Sequence, residues 1–153
     1  MYRKVVVLVL LVTLLSMTTP AQAITYGELD GNRHPNVGGL VAATPYSDGT
    51  WLYCSGTLIS PTVFLTAAHC DEGTAHVTVT FDTAYQDGDK TYTGTWYADP
   101  RYNWQQDDPH DIAVVVFDKP IKGIVPARLP AADSLSNLSG SQNLHPLAMA
   151  PTK

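Results

Sequence analysis

From residue 37 onward, apolar positions come in runs of four to eight, broken by clusters of Gly, Pro, Asp and Asn. No stretch sustains the 3.6-residue period of an amphipathic helix, so the runs predict strands. Residues 37–43 form the first, ended by the turn-forming sequence Pro45-Tyr46-Ser47-Asp48-Gly49. Residues 51–59 form the second, and Ser60-Pro61 turns the chain into Val63-Phe64-Leu65-Thr66. Residues 75–81 alternate, with His76, Thr78 and Thr80 on one side and Val77, Val79 and Phe81 on the other. That alternation predicts one wet and one buried face. Asp87-Gly88-Asp89 supplies a turn before a β-prone segment at 92–97. Residues 112–117 are nearly unbroken Val and Ile, the pattern of a strand buried on both sides. Short strands at this spacing predict an all-β sandwich or antiparallel barrel.

The two ends read differently. Arg3 and Lys4 precede a hydrocarbon run from residue 5 to 15, and Ala21-Gln22-Ala23 closes the segment with small residues. This is the pattern of a secretory signal cleaved after Ala23. The run is too short for a membrane span, which needs about 20 apolar residues. A secreted chain that leaves the membrane on cleavage is therefore expected. After Pro130 the sequence turns to Ser, Asn, Ala and Pro without strand pattern, which predicts a disordered tail over 131–153. Asn137-Leu138-Ser139 within it fits a glycosylation sequon. Removing 23 of 153 residues leaves 130, enough for one domain, placed at 24–130, with a hydrophobic core.

Charge narrows the partners. Taking Arg3 and Lys4 from nine basic residues leaves seven against fourteen acidic ones, a net charge of −7. So acidic a chain has little with which to displace phosphate counterions, which argues against nucleic acid and anionic membranes. The two cysteines, Cys54 and Cys70, predict a disulfide in an oxidising compartment. The 16-residue loop it closes is worth about 3 kcal/mol in the chain-entropy picture. His69 and His76 lie nearby, but neither C-x-x-C nor H-x-x-x-H spacing occurs, so no metal and no cofactor is expected.

The chemistry concentrates around His69, which follows two alanines and a buried strand and adjoins Cys70. A bridge from Cys54 to Cys70 would fix the turn that carries the imidazole, as a general base requires. Asp111 stands 42 residues further on, directly before Ile112-Ala113-Val114. A carboxylate there can accept the imidazole Nδ1–H and stabilise an imidazolium. The other histidines, His34, His76, His110 and His145, suggest no catalytic role, and His110 is expected in solvent. The stretch carrying Tyr97, Tyr102 and Trp104 with Asp107 and Asp108 reads as an ordinary surface loop, with a substrate-cleft wall as the alternative.

Three blocks, Ser55-Gly56-Thr57-Leu58-Ile59-Ser60, Thr66-Ala67-Ala68-His69-Cys70 and Asp111-Ile112-Ala113-Val114, resemble the trypsin/chymotrypsin family of serine endopeptidases. The resemblance runs from about residue 36 to 130. It implies an antiparallel Greek-key β-barrel, the first barrel of a chymotrypsin-like double barrel. It also implies His69 as general base, Asp111 as its orienting partner and the Cys54–Cys70 bridge beside them.

Three departures qualify what the resemblance implies. The family's Gly-Asp-Ser-Gly-Gly block does not occur, and Ser134, Ser136, Ser139 and Ser141 lack its glycine turn. The oxyanion hole and specificity pocket would belong to the same missing half. Val37-Gly38-Gly39-Leu40 resembles the family's activation terminus, yet no basic residue precedes it. The expectation is a truncated serine endopeptidase, inactive alone, with a protein or peptide substrate only once a second barrel completes it. The alternative is a non-catalytic binding module.

Overall fold

In the computed structural model, which describes residues 30–105 and 107–134, the predicted strands all form. They are β1 (Val37–Val41), β2 (Leu52–Ser60), β3 (Val63–Thr66), β4 (His76–Thr80), β5 (Tyr92–Ala98) and β6 (Ala113–Phe117). The signal-like segment, most of the expected tail and the sequon lie outside the described residues. The described part of the tail, Ala131 to Ser134, is an exposed turn. Among the described residues no helix is long and apolar enough to cross a membrane.

The six strands close into one antiparallel barrel in the order β1-β2-β3-β6-β5-β4, with β4 returning to pair with β1. Two three-strand meanders are thus joined by a crossing from β3 to β4, and β6 closes onto β3. This is the Greek-key connection that the resemblance implied. Closure leaves no free strand edge among the described residues.

Inside, Leu40, Leu58, Phe64, Val79 and Val115 are fully buried. A chain of edge-to-face rings runs Phe64–Phe81–Tyr92–Phe117 at centroid spacings of 5.8, 5.8 and 6.2 Å. Such contacts add about 0.5–1.5 kcal/mol per pair beyond the buried area. Small residues make room for these rings. A Cβ on Gly56 of β2 would land on the Leu65 carbonyl and the Phe64 ring, and one on Gly38 of β1 would meet the Thr80 carbonyl at 2.6 Å.

Val37-Gly38-Gly39-Leu40 lies within β1, as the strand pattern predicts, paired with β2 on one side and β4 on the other. The structure corrects three expectations. Thr80 is fully buried rather than wet, because the loop after β4 folds back over it. Its hydroxyl donates to the Lys90 carbonyl and accepts from the Asp82 N–H. β6 is buried on one face only: Ala113, Val115 and Phe117 point into the barrel, while Val114 and Val116 are half-buried and Ile112 is 50% exposed. A single small barrel has one interior, so its outer face needs a separate cover. Finally, His110 lies in a turn, half-buried against Asp108, not in solvent.

Candidate active site

The register of two strands assembles the site. β3 runs antiparallel to β6, with Thr66 opposite Ala113. The chain leaving β3 therefore emerges beside the chain entering β6. His69 lies three residues past Thr66 and Asp111 two residues before Ala113, so residues far apart in sequence meet at one rim of the barrel.

Each approach is fixed locally. The Thr66 hydroxyl donates to the Ser55 carbonyl at 2.9 Å, tying the end of β3 to β2. Ala67 stays extended, and Ala68–Cys70 then makes a single 3-10 turn with Ala68 fully buried and Cys70 6% exposed. Full burial of Ala68 accounts for a small residue at that position of the bend. The Cys54–Cys70 disulfide is formed, with Cα atoms 6.1 Å apart, and anchors this turn to β2. As expected for so short a turn, its leading N–H groups lack intrahelical partners.

Asp111 supplies one. Its Oδ1 accepts the His69 backbone N–H at 2.8 Å and its Oδ2 meets the imidazole Nδ1 at 2.7 Å. The hydrogen bond from the His69 ring, then that from its amide, holds the Asp111 carboxyl below the usual carboxylate range. A carboxylate so placed selects the tautomer with the proton on Nδ1 and leaves Nε2 as the basic edge. The His69 side chain is 58% exposed and that of Asp111 32%. The imidazole thus faces solvent while the carboxylate is partly covered.

The loop before Asp111 carries a feature that sequence reading passed over. The Asp108 side chain is only 2% exposed. Its Oδ2 accepts the Asn103 N–H at 2.8 Å, and its Oδ1 accepts the His110 N–H at 2.9 Å and contacts the His110 Nδ1 at 2.8 Å. These bonds, the His110 amide foremost, lower the Asp108 pKa despite burial. The Asp108 carbonyl accepts the Asp111 N–H, so the buried carboxylate staples the loop that delivers Asp111. Asp99, at the loop's other end, is held far below its ordinary value by a paired hydrogen bond from Arg101. Nothing in an Asp-Pro-His-Asp sequence distinguishes such a staple from a polar turn.

Aromatic residues flank the site. Tyr102 and the 65%-exposed Trp104 lie with ring centroids 5.3 Å apart. Burial, with the Asp111 and Asp108 charges, raises the Tyr102 pKa. Tyr53, half-buried on β2, is pushed up to about 12 by burial and by the nearby Glu72. Of the serines that follow Asp111, Ser134 sits in an exposed turn, and Ser136, Ser139 and Ser141 lie outside the described residues.

The arrangement can hold an imidazole oriented for proton transfer. A family model described as Trypsin matches residues 30–143, more than half of the chain and all six strands, both site residues and the disulfide. The chain belongs to the trypsin family of serine-protease-like proteins.

Proposed function

We propose that this barrel is the base-bearing half of a secreted serine endopeptidase. In this reading His69 takes the proton from a nucleophilic serine and Asp111 orients and charge-balances it. The observation that carries the reading is the paired contact of Asp111 with both the amide and the ring of His69. A binding module would have no use for an imidazole held this way and left open to solvent.

No Gly-Asp-Ser-Gly-Gly sequence occurs in the 153 residues, and in this reading a partner, a serine-bearing second barrel, supplies the nucleophile. The same partner would supply the oxyanion donors, each worth about 10²–10³ in rate. Val125 and Leu129, 80% and 60% exposed on the segment after β6, offer it an apolar surface. Export rests on the signal pattern of residues 1–23 and accords with an oxidised cysteine pair.

A fluorophosphonate probe tests both parts. The 153-residue chain should stay unlabelled, and stoichiometric labelling would show that it holds a working nucleophile. Mixed with a serine-bearing second barrel from the trypsin family, it should become reactive. His69→Ala should abolish that reactivity; reactivity that survives the substitution would remove His69 from the mechanism.

A further inference from the structure

The turn that carries His69 also carries two sulfurs. The Sγ atoms of Cys54 and Cys70 and a ring nitrogen of His69 all lie within 4.8 Å of one another. Among the described residues no other three His, Cys, Asp or Glu side chains form such a cluster. In the oxidised chain the sulfurs are bonded to each other and neither is a thiolate. Broken, the same pair becomes two soft ligands beside an imidazole.

We propose that reduction of the Cys54–Cys70 bond converts this turn into a Cys₂His zinc site that occupies His69. Zinc–sulfur bonds of about 2.3 Å and zinc–nitrogen bonds of about 2.0–2.1 Å place tetrahedral ligands about 3.6–3.8 Å apart. On reduction the two sulfurs move apart from bonding distance to that spacing by side-chain rotation, and the His69 ring nitrogen starts within 4.8 Å of both. The backbone on either side is fixed independently of the disulfide: β2 pairs with both β1 and β3, and Asp111 grips the His69 amide. Asp111 also suits the metal. By holding Nδ1 it leaves the Nε2 lone pair for zinc, and a carboxylate on the far ring nitrogen is the usual support of a zinc-bound histidine. The exposed side of His69 leaves the fourth position to water.

The steps balance. A dithiol reductant gives up two electrons and two protons, becoming a disulfide as the Cys54–Cys70 bond opens to two thiols. Zinc then displaces both thiol protons into solvent as two Zn–S bonds and one Zn–N bond form. The metal site stands whatever the chain's activity. Its consequence, a general base blocked until the chain is oxidised, rests on the proteolytic reading.

The test uses the full chain, reduced with a dithiol, desalted without oxygen and titrated with cobalt(II), then zinc in competition. The reduced chain should bind one metal with a thiolate-to-cobalt charge-transfer band, and the oxidised chain none. Asp111→Asn should weaken binding about 10- to 100-fold. His69→Ala should weaken it further, and His76→Ala should leave it unchanged. If reduction alone unfolds the barrel, zinc should restore its circular dichroism. Equal binding by oxidised and reduced chains would overturn the proposal, as would indifference to His69→Ala or a reduced chain that zinc fails to fold.

Discussion

Asp111 holds His69 twice, by its backbone amide at 2.8 Å and by its ring at 2.7 Å. One carboxylate thus sets both where the histidine turn sits and how the imidazole is rotated. The first bond is part of folding: it satisfies an N–H that a three-residue 3-10 turn leaves open. The second sets the rotation and tautomer of the ring. Building the site is therefore inseparable from closing the barrel between β3 and β6.

Replacing Asp111 with Ala should therefore disturb more than the ring. The His69 amide should exchange with solvent about tenfold faster, the cost of one ordinary hydrogen bond. The Nδ1 proton, which Asp111 accepts in the parent chain, should vanish from the NMR spectrum through fast exchange. An unchanged His69 amide would mean that the turn is held by the disulfide and packing alone.

Gly56→Ala should be among the most damaging single-methyl additions to the barrel. The new Cβ falls on the Leu65 carbonyl and the Phe64 ring, so either the β2–β3 pair or a fully buried aromatic must move. Overpacking of this kind costs about 1–3 kcal/mol. Gly49→Ala is the contrast, since no atom lies near its Cβ and only its positive φ of 84° resists the change. Urea midpoints should fall further for Gly56→Ala than for Gly49→Ala; the reverse order would mean that the ring relaxes freely.

Much of this was legible in the sequence because its signals are local. Strand periodicity placed all six strands, and the blocks around His69 and Asp111 pointed to one site before any geometry was known. Closure and register are not local, so nothing in the chain announced that Thr66 would face Ala113. Misreadings arose where a loop decides burial. Thr80 alternates like a wet residue, yet the returning loop covers it and satisfies its hydroxyl. β6 reads as buried on both faces, yet Val114 and Val116 on its outer side are only half-buried. The Asp108 staple was invisible because its acceptor bonds go to amides fixed only by the folded loop.

Trp96 offers a substitution that should cost little. Its ring packs against the core from β5, but its Nε1 is buried with no hydrogen-bond partner among the described residues. An unpaired buried donor costs about 1–3 kcal/mol. Trp96→Phe keeps much of the aromatic packing and removes that donor. Its stability should stay within about 1 kcal/mol of the parent, whereas Phe64→Ala should lose about 3–5 kcal/mol. If Trp96→Phe proves as damaging as Phe64→Ala, the indole nitrogen has an acceptor, such as water.

Acid should unfold the barrel through its carboxylates. Asp30, Asp99, Asp108 and Asp111 all sit below their ordinary value of 3.8, each because hydrogen bonds to neighbouring side chains or amides favour the charged form. In the unfolded chain these groups take up protons near that ordinary value, while in the folded chain they resist until lower pH. Stability contributed by them is thus complete above about pH 5 and is lost progressively as pH falls through 4 toward their folded values. Urea midpoints measured from pH 5 down to 2.5 should decline steadily. Asp108→Asn should start lower and decline less steeply, because one of the four linked protons is gone. A midpoint that holds or rises below pH 4 would show that these carboxylates are no better stabilised in the barrel than in the open chain.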